Sequence, residues 1–194
     1  MNKKLTKRLF FDSNFPAEEQ LPRIYDVCFK EVSKDSNKKV VITIGNQQIG
    51  GLLTDNSYKD DGYRYHDVFH FSYAAILGWS PCVRKMLGKK RKSNLKTDEV
   101  EDGARAIITE EAISLLIYNF AKENDYYQDT TKIDSHLLEI ILKLASDFEV
   151  QKCSKLDWEK AISMGYSAFR SLNKNKGGVV RVNMLNSNLS YLQV

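Results

Sequence analysis

His66 and His70 stand four residues apart with Asp67 between them, the group in this chain best suited to chemistry. On a helix, residues four apart share a face, and Asp67 falls three before His70 on nearly the same stripe. Histidines so spaced commonly hold a divalent metal, with further ligands from elsewhere in the fold. Glu99, Asp102 and Glu110 could supply them, because their spacing is close to whole helical turns and would align them along one side of a single long helix. Sites rich in carboxylate oxygens suit magnesium or manganese, ions that also hold phosphates. The expected metal ligands are therefore His66, Asp67, His70, Glu99, Asp102 and Glu110. Glu110 and Glu111 sit among Ile107, Ile108 and Ile113, so at least one should be drawn inward, where a carboxylate needs a cation or donor. His66, Asp67, Glu110 and Glu111 are the expected catalytic groups, with Arg105 neutralising developing charge. Arg84, Lys85, Lys89, Lys90, Arg91 and Lys92 lie between the two groups and are the expected phosphate contacts.

Plainer readings stand beside these. The histidines could be hydrogen-bonded residues at a helix start. Asp98, Glu99, Glu101 and Asp102 would fill a first helical turn, where acids favour the helix dipole. Glu101 and Arg105, four apart, could be a simple ion pair, and the basic run a solvated loop. His136 has no comparable neighbours and reads as structural. Cys28, Cys82 and Cys153 are odd in number and far apart, which argues against a disulfide framework or zinc-thiolate site and fits a reducing cytosol. Thiol catalysis at Cys82 has no other support in the sequence. The phosphate-binding, dinucleotide-binding and serine-hydrolase glycine motifs are missing. A net charge of +4 permits an anionic partner without demanding one. With no signal-length or membrane-length apolar run, the chain is expected to be soluble and cytoplasmic, with no membrane partner.

The 194 residues and 42% apolar content suit one compact domain over 1–194. It divides into a β-rich lead-in (1–62), a helical core (63–176) and a C-terminal strand and tail (177–194). The lead-in begins irregularly, with a short strand near Arg8–Phe11. From Arg23, Tyr25, Val27, Phe29 and Glu31 alternate with Ile24, Asp26, Cys28 and Lys30 as in a strand. A polar turn follows over 34–39. Val40–Ile44, the Gly45-Asn46 turn and Gln47–Leu53 read as a hairpin, completing a three-stranded meander over about 23–53. Helices are expected over Tyr65–Leu77, stopped by Gly78; from Ser80-Pro81 to near Gly88; from Thr97 or Asp98 to about Lys122; over Asp134–Phe148; and over Leu156–Leu172, capped by Ser154. The third has apolar positions round more than half its surface, which suggests the central helix. Val179–Asn183 could add a strand, and Ser187–Val194 reads as a loose tail. The expected fold is thus α+β but mostly α: a bundle of about five helices with a small N-terminal antiparallel β meander.

The order of longer motifs is also informative. Pro-x-x-Glu-Gln-Leu-Pro-Arg (16–23), Leu-Thr-Asp-Asn-Ser-Tyr (53–58), Asp-Gly-Tyr-Arg-Tyr-His-Asp-Val-Phe-His (61–70), Leu-Gly-Trp-Ser-Pro (77–81), Lys-Arg-Lys-Ser (90–93), Asp-Glu-Val-Glu-Asp-Gly-Ala-Arg-Ala (98–106) and Glu-Glu-Ala-Ile-Ser (110–114) span most of the chain. Together they resemble the C-terminal domain found in some MazG-type nucleoside triphosphate pyrophosphohydrolases. The resemblance implies a nucleotide-related role in a magnesium-dependent phosphohydrolase context, and a homodimer. MazG catalytic helices carry Glu-Glu-x-x-Glu and a later Glu-x-x-Asp. Here Glu99-Val100-Glu101-Asp102 can match the later element, but His66-Asp67-x-x-His70 stands where the earlier one should be. Two expectations follow: a divergent phosphohydrolase using magnesium or manganese, or a non-catalytic nucleotide- or protein-binding module that partners a separate enzyme. The His-Asp pair is also similar to that of HD-type phosphohydrolases, whose separate upstream histidine is missing here. Nucleic-acid binding through the basic loop is a weaker third expectation.

Overall fold

A computed structural model describes residues 10–34, 37–128 and 132–193. Five antiparallel strands form one sheet: β1 (Ile24–Lys34), β2 (Asn37–Ile44), β3 (Gln47–Leu53), β4 (Gly177–Asn183) and β5 (Asn188–Leu192), in the order β3-β2-β1-β4-β5. Among the described residues the α-helices are α1 (Asp67–Leu77), α2 (Pro81–Met86), α3 (Leu95–Val100), α4 (Ala104–Glu123), α5 (Ser135–Leu144) and α6 (Lys155–Asn175).

β1 alternates as its sequence dictates, with Tyr25, Val27 and Phe29 buried and Ile24 exposed. Phe71 of α1 meets Tyr25 and Phe29 edge-on, with ring centroids 6.3 and 6.1 Å away. On another side of α1, Phe69 stacks on Tyr166 of α6 at 4.5 Å, and the Ser72 hydroxyl donates to the Ala161 carbonyl at 2.6 Å. Held between sheet and α6, every residue of α1 is buried. Such enclosure fixes side chains on α1 in single rotamers, a requirement for a site built on it.

The caps follow local chemistry. Ser80 accepts from the Val83 amide with Pro81 at the first helical position, Asp134 accepts from the Leu137 amide, and Ser154 forms a capping box with Asp157. No helix among the described residues is long and apolar enough to cross a membrane.

Several expectations are corrected. The sheet is not a small N-terminal meander: β1 is its central strand and pairs on its second edge with β4, Val27 opposite Val180. β5 then adds to β4, so most of the expected C-terminal tail is an edge strand. The expected polar turn over 34–39 is largely strand, with Lys34 opposite Asn37; positions 35 and 36 fall outside the described residues. Phe10 and Phe11 lie at a turn rather than a strand, and Arg8 and Leu9 fall outside the described residues. The central helix is α1, not the third expected helix, whose counterpart α4 buries one face (Ala106, Glu110, Ile113, Ile117, Ala121) and leaves Ile108 and Leu115 exposed.

That third helix is also two helices. α3 is capped by Asn94, whose side chain accepts from the Thr97 amide, rather than by Thr97 or Asp98. It ends at Val100, and α4 starts after Gly103. A Cβ at Gly103 would lie 2.0 Å from the Glu99 carbonyl oxygen, so the tight break requires glycine. Glu99 and Asp102 are thereby cut off from the helix that carries Glu110.

Candidate functional site

Three elements build the site: α1 supplies His66 at its start, Asp67 and His70; α2 supplies Cys82; α4 supplies Glu110 and Glu111. Glu110 is fully buried and its oxygens are taken. Oε1 accepts from the Ser80 hydroxyl at 2.6 Å and lies 2.8 Å from His70 Nδ1, while Oε2 accepts from the Cys82 amide at 2.8 Å. The Ser-Pro start of α2 thus fixes Glu110, and Glu110 fixes His70. It orients its neighbours rather than offering an open oxygen to an ion.

A carboxylate only accepts, so His70 Nδ1 carries the proton shared with Glu110. The other nitrogen, Nε2, is buried and faces Glu111 Oε2 at a long 3.5 Å. His66 repeats the pattern. Its Nδ1 donates to the Tyr63 carbonyl at 2.8 Å, the Tyr63 ring stacks on it at 4.3 Å, and its Nε2 lies 3.1 Å from Asp67 Oδ1. In neutral imidazoles, both Nε2 atoms would present a lone pair to a carboxylate oxygen. Two acceptors face each other stably only with a proton or a metal ion between them. The donor atoms of His66, Asp67 and His70 lie within 4.8 Å of one another, as do those of His70, Cys82 and Glu110. The residues therefore fit a divalent ion.

The electrostatics agree. Burial opposes charge on His70, but negative charge at Cys82 and Glu110 outweighs it and raises its pKa well above 6.5. Burial and the nearby Glu110 push the Cys82 thiol up as well, so Glu110 is the anion that matters to His70 near neutral pH. Hydrogen bonding to His70 outweighs burial at Glu111 and holds its carboxyl down at about 2.

A cavity of about 420 Å³ opens onto this group, lined by Asp67, His70, Cys82, Lys85 and Glu111 and walled by Gly50 and Gly51 of β3. The β2–β3 register shifts between Val40 and Ile42, and Gly50 in the resulting irregularity has φ of +65°. A Cβ at Gly50 would stand 3.5 Å from Met86 Sδ and 3.9 Å from Asp67 Oδ2, so the strand backbone forms the wall where a side chain would narrow it.

The remaining expected residues lie elsewhere. Asp102 is fully buried and paired through both oxygens with Arg91, at 2.7 Å to Nη2 and 3.1 Å to Nε. Arg91 also meets Glu149 at 2.7 Å. Arg84 is buried against Asp12 at 2.9 Å and donates to the Glu19 and Lys89 carbonyls. These arginines are tied into the fold, not displayed to a phosphate. Lys90 pairs with Asp98, and Lys92 is exposed. Glu99 is exposed beside Lys96, and Arg105 beside Asp147. Lys89 does not line the cavity; Lys85 does. Neither Glu99 nor Asp102 joins a metal-capable group among the described residues. Glu101 accepts from the Glu149 amide rather than pairing with Arg105.

Sequence reasoning missed Cys82. Its one local signal was its place just after the Ser80-Pro81 helix start; nothing local brings that start against mid-helix Glu110. No curated protein and no solved structure matches the chain. The chain belongs to the MazG C-terminal domain family, whose model matches residues 6–194.

Proposed function

We propose that this domain is a metal-dependent phosphohydrolase acting on a nucleotide, with a divalent ion held by His66, Asp67 and His70. One observation carries the reading: two imidazole Nε2 atoms, one of them deeply buried, each facing a carboxylate oxygen beside a cavity. Family membership supports the nucleotide class of substrate. Two imidazoles among the ligands favour manganese or another imidazole-binding ion over magnesium. When bound, such an ion lowers the pKa of water and polarises phosphate oxygens. The protein's own groups do the rest. Glu110 sets the His70 tautomer and ring orientation. Glu111, anionic and half-exposed at the cavity edge, orients the attacking water. Exposed Lys85 at the cavity wall attracts the phosphates.

The test is phosphate and pyrophosphate release from a panel of ribo- and deoxynucleoside triphosphates, with magnesium, manganese, zinc or chelator present. Metal-stimulated release is expected, falling at least about a hundredfold in His70→Ala. Unchanged turnover in that variant overturns the assignment.

A second reading is a non-catalytic nucleotide-binding module serving a partner enzyme, favoured by the missing Glu-Glu-x-x-Glu pattern. Saturable nucleotide binding without release from any triphosphate would select it.

A further inference from the structure

We propose that Cys82 and His70 together hold an ion beside this cavity, which makes it a site for a zinc-class ion rather than for magnesium. The inference rests on the metal reading above and extends its donor set to a thiolate. Cys82 Sγ lies 3.8 Å from Glu111 Oε1, and the other oxygen of that carboxylate lies 3.5 Å from His70 Nε2. Donors placed about 2.0–2.3 Å from a tetrahedral zinc are themselves roughly 3.3–3.8 Å apart. The His70 and Cys82 donor atoms lie within 4.8 Å of each other, Glu111 stands close to both, and all three residues line one cavity.

Two independent features point the same way. His70 Nε2 is a polar atom on a side chain only 1% exposed, and it meets Glu111 only at a long 3.5 Å. The Cys82 thiol meets the His70 ring, and its other contacts are long, at 3.8 Å to Glu111 and 4.0 Å to the Ile107 carbonyl. Glu110 ties the two together. It holds the His70 ring through Nδ1 and the Cys82 backbone through the amide, so one buried carboxylate orients both donors. Imidazole and thiolate are poor ligands for magnesium and good ones for zinc.

The experiment is titration of the chelator-stripped full chain with cobalt(II), read by absorption and by equilibrium dialysis, then displacement with zinc. A strong near-ultraviolet thiolate-to-cobalt band is expected in the native chain, lost on zinc addition and absent from Cys82→Ser. Zinc affinity should fall at least about tenfold in that variant. Cobalt binding by dialysis with no such band, or the same band in Cys82→Ser, overturns the thiolate ligand while the metal reading stands. No cobalt or zinc bound at all overturns both. If Cys82→Ser does not fold, alkylation of the native chain decides. Protection of Cys82, but not of Cys28 or Cys153, by stoichiometric zinc supports the ligand; equal alkylation with and without zinc overturns it.

Discussion

Two clusters of buried acids with basic partners arise from the same stretch of sequence and differ in one respect. Around Asp102 the network is closed: Arg91 takes both oxygens, Glu149 takes the rest of Arg91, and Asp12 joins Arg84 to Arg23. Around His70 it is more open: Glu110 is saturated, but His70 Nε2 meets Glu111 only at a long 3.5 Å, at the edge of a cavity. A closed network has nothing left to give a ligand and stabilises only its own geometry. A looser one, whose pairs are long and border a cavity, leaves polar atoms that a ligand can draw together.

The sharpest way to break this comparison is Asp102→Ala. It strands buried guanidinium charge and should lower unfolding free energy by about 3–5 kcal/mol, read by urea denaturation. A loss below about 1 kcal/mol would remove the structural role. Glu110→Gln acts on the open cluster. Without its orienting anion, metal affinity should fall roughly 10–100-fold by titration, and unchanged affinity would sever Glu110 from the site.

Acid separates the two regions more gently. The carboxyls of Asp12 and Glu111 both titrate lower in the folded chain. Burial works against this at Asp12, but Arg23, the Leu21 amide and Arg84 prevail; at Glu111 the leading cause is His70. A depressed carboxylate contributes stability above its unfolded pKa and loses it as pH falls through the folded one. In the metal-free protein, Glu111→Gln should therefore flatten the fall in stability between about pH 4.5 and 2. The fall owed to Asp12, which begins below its ordinary 3.8, should persist in that variant. The smallest effect belongs to Arg105→Ala. Its ion pair with Asp147 is exposed on both sides, so stability should change by less than about 0.5 kcal/mol and turnover not at all. A tenfold loss of turnover would return Arg105 to the site.

What the sequence made legible was local. The β1 alternation, the Gly45-Asn46 hairpin, the Gly78 stop and the caps at Ser80, Asp134 and Ser154 each depend on residues within a few positions, and each stands in the fold. The His66-Asp67-His70 face depends on one helix and was readable for the same reason. The pairing of β4 with β1 was not, because it joins distant segments. Nor was the fate of Asp102: an acid in an expected first turn and one buried against two arginines look alike until the break at Gly103 is known. Cys82 was invisible as a site residue because its neighbours His70 and Glu110 come from other helices.

The placement of β1 at the centre of the sheet also has a consequence for synthesis. Its partner β4 lies roughly 140 residues downstream, which at about 5–20 residues per second leaves one edge of β1 unpaired for roughly 7–30 seconds while the chain emerges from the ribosome. During that interval a strand presenting Val27 and Phe29 is an open template for other nascent chains. Yield in the cell should therefore depend on how quickly the last strands arrive and on chaperones that shield the waiting edge.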